Sequence, residues 1–329
     1  MRSIQIRVAG RIVIGLFLAF TCLWLTNAAA ADYPEKPIRL VVPYPPGGQT
    51  DITARIITSA SAAYLSQPFA ISNVGGAGGA IGTAEVARAK ADGYTLLVGA
   101  NATNTYIPLS GKVPYGRDSF IPIAQLSASP SILAVNAASP YKTLKDFIDK
   151  AKKEPNTLKY STAGVYSAHH IPAVLFAKKA DIRIKHIPYA GGGPSMTALL
   201  GNHVDLNVNY PATFSSSIQG GLIRPLAVSS GERLAKYPNV PTLKELGIDV
   251  EVDQWLAIMA PKGTPEPVIK TLREAFKKIC ADKIYISMLE KMGEEVKYMD
   301  GPEFDKFWTK SWKETQELFA SGVMTAEKQ

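Results

Sequence analysis

Twice within the first hundred residues a short apolar run passes through a glycine-rich turn into apolar positions at helical spacing, which restricts the chain to a fold built from strand-and-helix units. Ile38–Pro43 (IRLVVP) is a continuous apolar run, as expected of a strand buried on both faces of a sheet. After Pro45-Pro46-Gly47-Gly48, the residues Ile52, Ile56, Ile57, Ala60 and Tyr64 recur on one helical face, with Thr50 and Asp51 as N-cap candidates. Phe69–Ser72 then leads through Asn73-Val74-Gly75-Gly76-Ala77-Gly78-Gly79 into a helical stretch over Thr83–Ala91, and Thr95–Gly99 reads as the next strand. Further strands are expected at Ile132–Val135, Leu158–Ser161, Ile184–Pro188, Val204–Val208 and Leu226–Ser229, between helical stretches at Leu144–Lys153, His170–Lys179 and Ser195–Leu200. The fold class predicted is α/β, with a largely parallel sheet and a second sheet later in the chain. Two charged amphipathic helices, Pro267–Cys280 and Pro302–Ser321, close the sequence. No linker rich in Pro, Gly and Ser divides it, which fits a domain interrupted and completed late by the tail.

A length of 329 residues suits two domains, and 46% apolar with 19% charged residues is an ordinary globular composition. The formal charge of +8 overstates any attraction to polyanions, because Arg2, Arg7 and Arg11 crowd the beginning with no acid to offset them. Residues 1–31 read as a secretory signal peptide: a basic stretch to Arg11, an apolar stretch from Ile12 to Leu25, and Ala28-Ala29-Ala30-Ala31 before Asp32. That apolar stretch is shorter than the roughly 20 residues that span a bilayer. Cleavage near Ala31 is expected, with export across the inner membrane. Phe20 before Cys22 argues against a lipid anchor. The mature chain would keep only Cys280, expected as a buried thiol with no disulfide partner.

The chemistry sits in the two glycine loops, Tyr44–Asp51 and Asn73–Gly79. Glycine lets backbone N–H groups approach a ligand, and a helix N-terminus adds about half a positive charge, so two such turns suit an anion such as a carboxylate. The alternative is that the glycines serve tight turns only. The second loop fails the dinucleotide fingerprint, since Gly76-Ala77-Gly78-Gly79-Ala80-Ile81-Gly82 spaces its last required glycine wrongly, and no phosphate-loop motif occurs. Adjacent His169 and His170 lack the spacing of helix-borne metal ligands, so neither metal nor cofactor is expected. Thr162–Ser167 and Tyr189–Ser195 again follow strands and open helices; His170 is the better cleft candidate of the two histidines. Trp255 either covers a cleft or packs. Lys152, Lys153, Lys178 and Lys179 read as solvated helix faces, and nucleic-acid binding has no support.

Taken in order, V-P-Y-P-P-G-G-Q-T-D at 42–51, N-V-G-G-A-G-G at 73–79, D-G-Y-T-L-L at 92–97, P-Y-A-G-G-G-P at 188–194, G-N-H-V-D at 201–205, L-A-V-S-S-G-E-R at 226–233 and P-N-V-P-T-L-K-E-L-G at 238–247 carry a resemblance. They resemble the periplasmic solute-binding proteins of tripartite tricarboxylate transporters, the Bug-type family. The resemblance implies a two-domain periplasmic-binding-protein fold with a central ligand cleft and two crossover strands: 32–130 and 256–329 as domain 1, 131–255 as domain 2. It implies a receptor, not an enzyme, delivering a small organic carboxylate to membrane permease subunits, and a monomer is expected. Tyr44, Pro46, Gly47, Gly48, Thr50 and Asp51, with Asn73, Gly75, Gly76, Ala77 and Gly78, would surround one carboxylate. Thr162, Tyr166, Ser167, His170, Tyr189 and Gly191 would face it from the second domain, and Asp205 would orient that side or bind a ligand amine. A carboxylate at Asp51 would repel an anion, so capping is its expected role. Two departures stand out: Val74-Gly75 where the family often has Arg-Pro, and Tyr166 where Gly is common. Dicarboxylates rank first as ligands and aromatic acids second. The competing readings are an exported serine hydrolase using Ser167 and His170, and a ligand-sensing partner of a membrane sensor kinase.

Overall fold

The computed structural model describes residues 33–320 apart from Lys112. The expected signal peptide, Cys22 within it, and residues 321–329 lie outside the described residues. In chain order the elements are β1 (Ile38–Val42), α1 (Gln49–Ser61), β2 (Phe69–Asn73), α2 (Ala80–Ala87), β3 (Thr95–Ala100), β4 (Phe120–Pro130), β5 (Ile132–Asn136) and α3 (Leu144–Lys153). There follow β6 (Lys159–Thr162), α4 (His170–Lys179), β7 (Lys185–Pro188), α5 (Gly192–Leu200), β8 (Leu206–Asn209), α6 (Pro211–Gln219) and β9 (Ile223–Val228). The chain ends in β10 (Asp253–Pro261), α7 (Glu266–Cys280), α8 (Lys283–Met292), β11 (Glu295–Asp300) and α9 (Gly301–Ala320).

Two sheets result, ordered β11-β4-β10-β3-β1-β2 and β7-β6-β8-β5-β9. In the first, β2 and β3 flank β1 in parallel, while β10 runs antiparallel to β3 and β4, and β11 antiparallel to β4. In the second, β6 is parallel to β7 and β8, and β5 is antiparallel to β8 and β9. The sheets are therefore mixed, which corrects the expectation of largely parallel pairing. The strands responsible are β4, β10 and β11, whose polar residues hid them from a reading by apolar runs.

β1 is buried on both faces, as its sequence demands. Ile38, Leu40 and Val42 pack with Ile56 and Ile57 of α1 and with Leu272, Phe276 and Ile279 of α7, while Val41 joins Trp255, Phe304 and Trp308 on the other side. Trp255 is buried, with its ring centroid 5.0 Å from that of Phe304, so it packs in the core and does not cover the cleft. Cys280 is buried on α7, and burial pushes its thiol up to about 12. α3 starts on a capping box, Thr143 with Asp146, and Asp282 accepts the Ile284 and Tyr285 N–H groups at the start of α8.

The chain crosses between the sheets twice. Ser131 alone separates β4 from β5, and β10 returns to the first sheet at Asp253 after a long connection from β9. The expected boundary at 255/256 falls inside β10. The crossings are tied together: the Ser131 N–H donates to Ser229 Oγ at 2.9 Å, the Ser229 N–H donates to the Ser131 carbonyl at 2.9 Å, and Ser229 Oγ donates to the Val252 carbonyl at 2.9 Å. This arrangement leaves the carboxyl ends of β1 and β6 facing one another across a gap, where ligands bind in open α/β sheets.

Candidate functional site

On the first side of the gap, α1 begins at Gly48 as N-cap, with no side-chain cap, because the chain turns there at Gly47 with φ of 89°. Thr50 and Asp51 therefore lie inside the first turn, which corrects their reading as N-caps. Asp51 instead holds the loop shut. Its carboxylate accepts the Gly47 N–H at 3.0 Å, two bonds from Arg55 at 3.0 Å each, and Asn73 Nδ2 at 2.9 Å. Burial opposes its charge, but Arg55, the Gly47 amide and Asn73 outweigh burial and hold the carboxyl below the usual carboxylate range. Asn73 also donates to the Tyr44 carbonyl at 3.0 Å, so one amide joins both glycine loops. Tyr44 is buried, and its ring lies against Gly79, whose φ of 101° and crowded Cβ position admit only glycine.

On the second side, Thr162 ends β6. The Gly164 N–H donates to its hydroxyl at 3.2 Å, and His186 Nε2 lies 2.7 Å from the same oxygen. Ser167 is buried and its hydroxyl accepts the His170 backbone N–H at 3.2 Å. The His170 ring accepts the Tyr166 N–H at 3.3 Å and lies 4.4 Å from the His186 ring. That imidazole is thus engaged away from Ser167, and no base-to-nucleophile bond links the pair, which removes the support for a hydrolase. Burial, with His186 adding to it, lowers His170 to about 3. Tyr166 sits at φ of 58°, the left-handed region that explains a glycine preference at this position; its ring centroid is 5.8 Å from that of Phe319 of α9, across the gap. Tyr189 is half-buried and packs against the cluster that holds Met196 and Phe214, its N–H donating to the Thr162 carbonyl at 3.0 Å. Asp205 accepts the Lys159 N–H at 2.8 Å, at the opposite end of β6 from Thr162. The structure does not bring it to the gap, which corrects its expected role. The reason is the direction of β6: its first residue meets Asp205 and its last meets the cleft.

The two sides touch. A Cβ built on Gly48 would lie 3.6 Å from the Gly192 nitrogen and 3.8 Å from that of Gly193; one on Gly193 would lie 2.9 Å from the Pro46 carbonyl, and one on Gly191 2.9 Å from Pro45 Cδ. Gly78 and Gly164 meet likewise, with 3.3 Å from the Gly164 Cβ position to Gly78 Cα. The N-termini of α1 and α5, whose first amides lack intrahelical partners, face each other across this contact. Between them lies a cavity of about 10 Å³ lined by Tyr44, Gly48, Gln49, Thr50, Ala168, His169, Gly192 and Gln254. It holds about one water molecule. No Lys, Arg, Asp or Glu lines it. A second cavity, about 470 Å³, opens beside the crossings and carries charges of both signs, among them Glu251, Asp253, Glu294, Arg233 and Lys297.

Sequence reasoning missed Gln49, His169 and Gln254. Gln254 Nε2 donates to Gln49 Oε1. His169 is 8% exposed, and neither ring nitrogen makes a well-aligned hydrogen bond, with the Asn209 side chain the polar group beside the ring. Behind Gln49, Glu294 is 2% exposed, accepts the Ala212 N–H at 3.3 Å, and is raised by burial to about 7. Among the described residues no group of three or more His, Cys, Asp or Glu is placed to hold a metal, and no helix is long and apolar enough to cross a membrane.

Residues 53–321 match the model of the tripartite tricarboxylate transporter family receptor. The chain belongs to this family. The protein BugT of Bordetella pertussis is 34% identical over 286 residues, covering 85% of this chain and 87% of its own length. Among solved structures, the periplasmic binding protein BugD superposes with a TM-score of 0.85 at 31% identity, over 88% of this chain and 99% of that one. MatC of Rhodopseudomonas palustris, solved with bound malate, gives 0.82 at 27% identity over 89% of this chain and 100% of its own. This family receptor therefore has the periplasmic-binding-protein fold, and its relatives are binding proteins rather than enzymes.

Proposed function

We propose that this receptor captures a small organic carboxylate between its two halves and passes it to the permease subunits of a tripartite transporter. The observation that carries the reading is the meeting of the α1 and α5 N-termini on one cavity without a charged side chain in its wall. Two helix ends, each equivalent to about half a positive charge, attract an anion, and closure strips water from around it so that fixed dipoles act at lower dielectric. The malate bound to MatC supports a dicarboxylate as the leading ligand class, with aromatic acids second because the Tyr166 ring reaches Phe319 of the other half. At about 10 Å³ the cavity is too small for any such acid, so capture proceeds through opening at the two crossings and reclosure. The moving bodies are residues 32–130 with the chain from β10 onward, and the segment between the crossings. We place the mature protein in the periplasm as a monomer, after removal of residues 1–31.

Titration calorimetry against succinate, malate, adipate, benzoate and an uncharged sugar tests the reading. Saturable one-to-one binding of at least one acid is expected, with no heat from the sugar. Saturable sugar binding with silence from every acid overturns it.

A further inference from the structure

Resting on the carboxylate-receptor reading, we infer that His169 is a ligand-contacting residue that takes up a proton as the carboxylate enters, supplying the cation that the cavity otherwise lacks. Three observations carry this. The ring is more than nine-tenths buried, lines the cavity and makes no well-aligned hydrogen bond; the Asn209 side chain beside it can serve one ring nitrogen, which leaves the other without a partner. Its Cε1, which lies between those nitrogens, is 3.3 Å from the Cβ position of Gly192, so the polar edge of the ring borders the α5 N-terminus. The remaining lining offers hydroxyls, amides and peptide groups but no base. A buried polar atom without a partner costs free energy, and a ligand oxygen bound by the opposing helix ends would remove that cost.

Without an anion, burial holds His169 down at about 3, which weak hydrogen bonding to the Asn209 side chain only partly offsets. An adjacent negative charge acts in the opposite sense, favouring the imidazolium. The elements packed around the ring bring few competing charges. Tyr210 lies 4.8 Å away between ring centroids, and Tyr44 lines the same cavity; burial raises both phenols, which stay neutral. His170 faces His186 instead. Glu294 bonds the Gln49 side chain and Asp253 precedes Gln254 in β10, and burial raises both carboxyls. Protonation of Glu294 would favour an anion in the same direction, so the experiment separates it.

Because the bound value exceeds the free one, affinity should rise as pH falls; an imidazole restored by the anion to its ordinary value of about 6.5 gives a rise of about fourfold between about pH 8 and about pH 6. Malate and fumarate binding is measured at both pH values, and near pH 6 in buffers of different ionisation enthalpy, for wild type, His169→Gln and Glu294→Gln. Net proton uptake in wild type and in Glu294→Gln, lost in His169→Gln, is the expected result. Uptake retained in His169→Gln, or binding with no uptake in wild type, overturns the inference while leaving the receptor reading intact. Silence from every carboxylate overturns both. Should His169→Gln fail to fold, the imidazole ¹⁵N resonances of the wild-type chain decide: His169 moves to the imidazolium position on adding malate, or the inference falls.

Discussion

Asp51 would repel an anionic ligand if it faced one, yet it stands next to the loop proposed to bind one. The structure resolves this by filling both carboxylate oxygens from within: Gly47, Arg55 and Asn73 donate to it. Its value lies in fixing where the loop amides point. Replacing it by Ala leaves the Gly47 and Asn73 donors without their acceptor, and a loss of about 1 to 3 kcal/mol at neutral pH is expected by denaturant melting. The Arg55 share is small, because its side chain is 55% exposed. A carboxyl held below its unfolded value of about 3.9 stabilises above that pH and loses the effect as pH falls through the lower folded value. The gap between wild type and Asp51→Ala should therefore narrow in acid, and a gap constant down to about pH 3 would show that the charge is irrelevant. Residue by residue, the sequence distinguished poorly between His169 and His170. Adjacent residues on a helix diverge by about 100°, and which of the two meets the cavity depends on where α4 lies.

The glycine turns of the first half were legible as elements because an apolar run, a turn and a 3.6-residue period follow in order. β4 and β10 were not, since Gln125, Ser127 and Ser129 interrupt β4 although they are buried. Buried polar residues defeat both the alternating and the continuous apolar pattern; Gln125 Nε2 donates to the Lys297 carbonyl at 2.9 Å, a partner only the assembled sheet supplies. These strands carry the chain between the halves, and Ser229 fastens the crossings. In Ser229→Ala the Ser131 N–H and the Val252 carbonyl both lose a bond. The expected cost is about 1 to 3 kcal/mol. Hydrogen exchange of the Ser131 amide should rise ahead of that of β1; equal protection in both proteins would refute a fastening role.

At the scale of the whole molecule, the described conformation is closed, with glycine opposite glycine at the contact. Gly193 permits this approach: a Cβ there would lie 2.9 Å from the Pro46 carbonyl, a contact made between the halves and not within either. Gly193→Ala should leave each half folded, since Ala favours a helix more than Gly, but should bias the molecule open. If the closed form falls to a tenth of its population, apparent ligand affinity falls about tenfold. Small-angle scattering checks the shift directly: a radius of gyration larger than wild type without ligand, converging when an excess of the bound acid is added. Identical scattering curves would mean that the contact does not govern closure.

By itself the sequence determined the strand–turn–helix units, the glycine loops between them and the family, because these rest on local periodicity and on residues whose backbone freedom is needed within a few positions. Only the tertiary structure decided which loops oppose one another, that Asp205 stands at the far end of its strand, and that His169 rather than His170 borders the cavity. Those outcomes follow from the two crossings and from the direction in which each strand runs, and contacts between residues more than a hundred positions apart leave no periodic trace in the chain.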